Sequence, residues 1–386
     1  MQPAAVLPLK ERQDWRLYPV AFGAIPGWQD DDFVQALSCF RNSARRMSVK
    51  PYRRKAVGVD PQELAEIGQR ALALDEAALS DGKKAREFLE ANFRALSIIP
   101  DAGSGFVTGY FEPEVAASPV RTERYSYPLY RRPPDLVEVD DAEMPAGWNP
   151  EIRFARIERG RLAEYHDRAA IEAGVLAGRG LEIAWIENPV DGFFIHVQGS
   201  ARLSMPDGAV KRISYAAKSG HPFTPIGRIL IDLGELRREE VTMTSIRAWL
   251  HGHPDRAAVV MAENRSFIFF AETEAAEPAP NPALGPVAAA GVQLTPGRSL
   301  AVDRTLHTFA TPFFVAVRQA FAGHGRLFRR LMIAQDTGSA IVGVARGDLF
   351  IGTGAEAGEI AGAIRHEADF LLLAPAGGEP LAGEIR

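Results

Sequence analysis

The sequence predicts a mainly β protein that begins with helices. Three amphipathic segments open the chain, with apolar residues at helical spacing. From Gly105 to Pro134 the character changes to short β-prone runs, prolines and aromatics. Near the C-terminus, between Leu331 and Gly362, strand-like runs alternate with glycine turns and acids.

The first helix is expected over residues 28–48. Asp30–Asp32 supply an acidic first turn, Phe33, Leu37 and Phe40 share a face, and Arg45–Arg46 close it. A second starts at Asp60, with Pro61 in the first helical position and Leu64, Ile67, Ala71 and Leu72 on one side. A third covers 82–96, with Phe88, Leu89 and Phe93 inward. Residues 161–177 and 242–261 also read as helices. Residues 181–203 read as two β runs around the turn Asn188–Gly192, the second being Phe193–Val197. Ser266–Phe270 is a buried strand, Glu274–Ala290 a linker, and 311–318 and 328–334 are further strands.

In the last stretch an apolar run ends at Gln335–Asp336, followed by the turn string Thr337–Gly338–Ser339. Strands are expected at Ala340–Ala345 and Leu349–Ile351, with a break at Gly352 and a helix from about Glu356. A carboxylate at a strand end beside a glycine is either an active-site element or the cap of a turn.

Composition removes several classes. The chain has 386 residues, 46% of them hydrophobic and 24% charged, enough for a sizeable core in two or three domains. A net charge of −5 gives no support for a nucleic-acid binder. Cys39 is the only cysteine, which excludes an internal disulfide framework and a cysteine-based metal cluster. No apolar run reaches 18 residues, and the opening MQPAAVLPLKERQDW lacks the charged region and long apolar run of a signal peptide.

Three local motifs point elsewhere. Asp336–Thr337–Gly338–Ser339 matches the aspartic peptidase tetrapeptide, but that chemistry needs a second such Asp from the chain or from a dimer partner. Gly352-x-Gly354-xxx-Gly358 imitates a dinucleotide turn with its third glycine one residue late. His251-x-His253 has no third ligand at metal spacing, so no metal or other cofactor is expected.

Several separated segments, in order, resemble the membrane-bound lytic murein transglycosylase A (MltA) family. They are Thr108–Pro113, Tyr127–Tyr130, Phe193–Ser200, Tyr215–Lys218, Ile226–Arg228, Arg298–Asp303, Gln335–Gly338 through Gly343, Arg346–Phe350 and Gly352–Gly354. The resemblance spans about residues 105–375. It implies a double-psi β-barrel domain, formed by 1–107 together with 265–386 and including the N-terminal helices. A smaller β-rich glycan-binding domain, 108–264, is inserted, with a groove between the two.

The resemblance further implies cleavage of the β-1,4 bond between N-acetylmuramic acid and N-acetylglucosamine in peptidoglycan, leaving a 1,6-anhydro end. Asp336 matches the family's catalytic Asp, acting as acid and then base; its pKa must be raised for that, by desolvation or by a nearby carboxylate, for which Asp348 and Asp303 are the candidates. Gln198, Gly199, Ser200 and Lys218 would hydrogen-bond sugar substituents. Tyr110 and Phe111 would stack on pyranose faces. Gly338, Gly352 and Gly354 would admit the glycan to the backbone. The expected partners are peptidoglycan strands and cell-wall enzyme complexes, for a monomer of the bacterial periplasm or outer membrane. The chain departs from the family at Ser339, where a glycine is usual, at His307–Pro312, and at Arg265. Two rivals stand beside this reading: a non-catalytic peptidoglycan binder on the same scaffold and a dimeric aspartic peptidase.

Overall fold

The computed structural model describes residues 14–140, 144–145, 147–149, 152–273, 281, 283–320 and 327–385. The N-terminal elements are β1 (Trp15–Val20), α1 (Phe33–Val49), α2 (Pro61–Leu72), α3 (Glu76–Leu79), α4 (Gly82–Asn92) and β2 (Phe93–Pro100). There follow β3 (Phe106–Glu112), β4 (Glu114–Ser118), β5 (Tyr127–Tyr130), β6 (Leu136–Glu138), β7 (Phe154–Glu158), β8 (Arg161–Glu164) and α5 (Arg168–Glu172). Next are β9 (Glu182–Ile186), α6 (Pro189–Gln198), β10 (Ser200–Ser204), β11 (Val210–Lys218), α7 (Ile226–Asp232), α8 (Met243–Gly252), α9 (Pro254–Ala262) and β12 (Ile268–Glu272). The last are β13 (Ser299–Val302), β14 (Pro312–Val317), β15 (Arg329–Asp336), β16 (Arg346–Thr353), α10 (Ala355–Ala363) and β17 (Arg365–Pro375).

The chain forms two compact units. Unit 1 comprises Met1–Gly109, Ala288–Phe350 and Ile364–Arg386, and unit 2 comprises Tyr110–Val287 and Ile351–Ala363. The fold is mainly β with N-terminal helices, as expected. In its largest sheet the order is β1-β2-β17-β14-β15-β13-β16-β3, and a further β17–β3 pairing closes six of these strands into a barrel. Closure leaves those six strands without a free edge along the ring. The β13–β15 pair is parallel, and β13–β16 is antiparallel.

The helices of unit 1 form where their caps and apolar spacing direct. Asp32 caps α1 by accepting from Gln35 N–H at 3.0 Å, and Phe33, Ala36, Leu37, Phe40, Ala44 and Met47 are buried on one face. Asp60 caps α2 ahead of Pro61. The core packs Trp28 edge-on against Phe314 and Phe40 against Phe93. In β15, Leu331 to Gln335 are all buried, and α1 meets this strand through polar contacts at Cys39 and Ser43. A strand buried along such a run reads as continuous apolar sequence, not as alternation.

Unit 2 holds a six-stranded sheet, β12-β11-β10-β4-β9-β5, and a three-stranded sheet, β6-β7-β8. Helices α6 to α9 share a cluster around Phe193, Phe194, Leu230, Trp249 and Met261. Among the described residues no helix is long and apolar enough to cross a membrane.

Several expected elements differ. Phe193–Val197 is helical, not a strand. Asn188 accepts from Val190 N–H at 2.8 Å, Pro189 opens α6, and Gly199 closes it in the left-handed conformation at φ 77°. The expected 82–96 helix stops at Asn92, and Phe93 begins β2. Residues 161–177 divide into β8 and the short α5. The 242–261 helix is broken at His253–Pro254, because Pro254 has no N–H to continue it and instead opens α9. Ala340–Ala345 is a loop whose Gly343 N–H is bound by the Asp303 carboxylate at 3.0 Å. The strand expected at Leu349–Ile351 extends over all of β16 and passes through Gly352. Of the expected 274–290 linker, residues 274–280 and 282 lie outside the described residues.

Candidate active site

The strand-end acid sits where β15 leaves the barrel. Asp336 is partly exposed, whereas Gln335 before it is fully buried. Asp336 Oδ1 accepts from Thr337 N–H at 2.8 Å and from Ala289 N–H at 3.3 Å. The Thr337 hydroxyl donates to Val302 O at 2.8 Å, which ties the turn to β13. Gly338 and Ser339 follow in the exposed turn. The acid is therefore set in direction by main-chain donors on either side.

Gln335 anchors the strand from behind. Its Oε1 accepts from the Ser299 hydroxyl at 2.5 Å and from the Cys39 thiol at 3.3 Å. Its Nε2 donates to Cys39 O at 3.1 Å and Ser43 Oγ at 2.8 Å. Burial pushes the Cys39 thiol up to about 11, so it stays a neutral donor. A buried network with its members paired holds one geometry.

Asp336 and Asp348 both pair with Ala301 of the intervening β13, next to a register shift at Leu300. They therefore share one row of the sheet at two strand spacings, about 10 Å. Asp348 is met by the Arg346 guanidinium and the Thr108 hydroxyl. Its charge is balanced locally, which weakens the part expected for it as a like-charge neighbour of Asp336. Asp303 is also committed. It accepts from Thr305 N–H at 2.9 Å, the Thr305 hydroxyl at 2.6 Å and Gly343 N–H. These contacts make Asp303 the organiser of the 340–345 loop.

A second cluster, in unit 2, gathers other expected residues. Phe111 N–H donates to Gln198 Oε1 at 3.1 Å, and Gln198 Nε2 reaches Met243 Sδ at 3.9 Å. Glu112 O accepts from Gly354 N–H at 2.9 Å, and its carboxylate accepts from the Thr353 hydroxyl at 2.8 Å. The Phe111 ring does not stack on solvent-facing ligands as expected. It is buried against Ala357 and Ala361, and a Cβ on Gly358 would lie 2.8 Å from it. Tyr110, one residue earlier, is partly exposed.

Gly352 and Gly354 bracket Thr353 at the turn into α10. Gly199 closes α6, Ser200 is buried opposite Ser214, and Lys218 ends β11 opposite Ile268. The sequence pattern thus brings Phe111, Gln198 and Gly354 together, while Ser200 and Lys218 are placed along the β10–β11–β12 sheet.

Glu112, next to Phe111 in β3, is fully buried. Arg212 lies 3.2 Å and Arg202 3.6 Å from its carboxylate. Burial pushes its carboxyl above the usual range, against the pull of Arg212, Thr353 and Arg202. Arg212 also donates to Leu284 O at 2.6 Å and Gly285 O at 3.1 Å. Sequence spacing carried no sign of this ion cluster, because its members come from distant strands.

The expected Tyr127–Tyr130 segment lines a separate cavity of about 430 Å³ in unit 2, with Arg121, Glu172, Glu182 and Trp185. None of the expected site residues lines it. Among the described residues no group of three or more His, Cys, Asp or Glu is placed to hold a metal ion.

The barrel and the inserted unit have recognisable counterparts. Residues 106–271 match the MltA specific insert domain, and residues 298–374 match the 3D domain. This defines the class: a 3D-domain β-barrel protein with an MltA-type insert. Membrane-bound lytic murein transglycosylase A of Escherichia coli (strain K12) is 33% identical over 285 residues, covering 72% of this chain and 68% of that protein. A crystal structure of the membrane-bound lytic murein transglycosylase from Agrobacterium tumefaciens is 45% identical, with a TM-score of 0.85 over 93% of this chain and 98% of that one. E. coli MltA with bound chitohexaose is 26% identical, with a TM-score of 0.64 over 97% of this chain and 93% of that one. The chain belongs to the membrane-bound lytic murein transglycosylase A family, whose members are lytic transglycosylases.

Proposed function

We propose that this enzyme cleaves the β-1,4 bond between N-acetylmuramic acid and N-acetylglucosamine and leaves a 1,6-anhydromuramic acid end. The observation that carries the reading is the Asp336 carboxyl, presented at the end of β15 and oriented by the Ala289 and Thr337 N–H groups.

Asp336 begins protonated and gives its proton to the glycosidic oxygen as the C1–O bond breaks and positive charge develops on the muramyl ring. The resulting carboxylate then takes the proton of the C6 hydroxyl, and that oxygen bonds to C1. The proton count closes on one residue, and the ring closure needs no water. Sugar packed over the carboxyl removes solvent from it, which favours the protonated form needed at the start. With Asp348 balanced by Arg346, we assign desolvation by substrate, not a neighbouring acid, as the main source of that preference.

Substrate recognition is assigned to Tyr110, Gln198, Gly199, Ser200, Lys218, Gly338, Gly352 and Gly354, with Phe111 as a packed support. A chitooligosaccharide bound to the E. coli relative supports a glycan ligand. Murein as substrate, with relatives named membrane-bound, supports a place in the cell envelope.

Asp336→Asn keeps the shape of the side chain and removes the acid. It is expected to slow the clearing of a sacculus suspension by roughly 10²–10⁴-fold. Retained clearing by a folded variant would contradict the assignment.

A further inference from the structure

Residues 288–292 form a tight strap in unit 1. Gly291 N–H donates to Ala288 O at 2.8 Å, and Ala288 N–H donates to Val292 O at 3.0 Å. The strap holds the end of β15 at two adjacent points. Ala290 N–H donates to Gln335 O at 3.1 Å, and Ala289 N–H donates to Asp336 Oδ1 at 3.3 Å.

Its other side is held by residues around the end of α1. The Tyr52 hydroxyl donates to Ala290 O at 2.8 Å. Arg46 lies against Gly291, where an added Cβ would come within 3.1 Å of its Nε. The Tyr52 ring is fixed edge-on to Phe309, with centroids 5.7 Å apart, and under the Arg46 guanidinium. A rigid ring thus presents its hydroxyl to Ala290, the residue next to the one whose N–H contacts the acid.

We infer that Tyr52 is a positioning residue for Asp336, acting through Ala290 to set the Ala289 N–H against its carboxyl. The inference rests on the role proposed above for Asp336. Burial pushes the Tyr52 hydroxyl up to about 12, so it remains a donor throughout the working range. The charged groups on the neighbouring elements include Asp303 after β13, Asp348 with Arg346 on β16, and Arg41, Arg45 and Arg46 on α1. Tyr52→Phe alters none of them and keeps the ring.

A main-chain N–H on a carboxyl favours its charged form. Loosening that contact favours the proton. The reaction starts from the protonated acid, so the alkaline limb of the kcat profile moves upward in pH. Loss of orientation also lowers the maximum.

The test is a pair of kcat and KM profiles against pH on murein glycan strands, for wild type, Tyr52→Phe and Gly291→Ala. Asp336→Asn is run beside them. Gly291 has φ +72°, so its substitution strains the strap from the Arg46 side. Tyr52→Phe is expected to lower kcat about threefold to tenfold with little change in KM. Its alkaline limb should rise by roughly half a pH unit, and Gly291→Ala should move the limb the same way. An unmoved limb in folded Tyr52→Phe, with Asp336→Asn inactive, would overturn the inference and leave the function standing. A loss of activity matched by loss of folded protein, with no moved limb, would overturn it equally. Activity in Asp336→Asn would remove the role on which the inference rests.

Discussion

Gln335 shows how a buried amide serves an acid it does not touch. Its side chain joins β13, β15 and α1 through Ser299, Ser43 and Cys39, and the next residue is Asp336. Gln335→Leu keeps the volume and removes every one of these bonds. It should cost about 2–4 kcal/mol of stability, because Ser43 and the Cys39 carbonyl lose partners they cannot replace from water. Urea unfolding measures this directly. A change below about 0.5 kcal/mol would mean the network contributes little net energy.

The same residues mark the limit of sequence reading. Asp336 stood out because an acid followed an apolar run and preceded a glycine turn. Gln335 was visible only as the end of that run. Its partners lie 36 to 296 positions away, and one of them is an ordinary helix serine. The ion cluster of Glu112 was hidden for the same reason, since Arg202 and Arg212 reach its carboxylate from β10 and β11.

Helix α6 carries the clearest disagreement between local pattern and fold. Phe193, Phe194, Ile195 and Val197 have the aromatic and branched character of a strand. Asn188, Pro189 and Gly199 are nevertheless a complete set of helix boundaries, and the tertiary core accepts Phe193 and Phe194 among other helices. The end of α6 matters because Gln198 there receives the Phe111 N–H. Asn188→Ala should destabilise unit 2 by about 1 kcal/mol, while Asn188→Asp should restore most of the loss. Equal stability of all three proteins would show that the cap is idle. By contrast, α2 was readable in advance because cap, spacing and final packing all agree; α1 was readable in its apolar face, but it begins at Phe33 with Asp32 as its cap, not at residue 28. The loop at 340–345 was not readable, since it is held by Asp303, which follows the distant strand β13.

Taken over the molecule, each unit buries a neutral histidine. In unit 1 burial lowers His307 from its ordinary 6.5 to about 4, with its Nε2 at 2.8 Å from Val344 O. In unit 2 burial and Arg168 hold His196 well below its ordinary value. Below pH 6.5 the unfolded chain takes up a proton at position 307 that the folded chain refuses. Stability from this group is therefore full above about pH 6.5 and declines as pH falls towards 4, by a total of about 3 kcal/mol. His307→Gln should flatten the dependence of unfolding free energy on pH between these limits. An unchanged slope would show that carboxylates alone set the acid sensitivity.

The mechanism turns on which bond closes after the glycosidic bond breaks. Mass spectrometry of the fragments released from purified sacculi reads it directly, because a 1,6-anhydro end is lighter than a reducing end by one water. Anhydro-ended muropeptides are expected from the wild type and none above background from Asp336→Asn. Reducing-end fragments would mean that water, not the C6 hydroxyl, attacks the anomeric carbon. That result would contradict the single-acid mechanism built on Asp336.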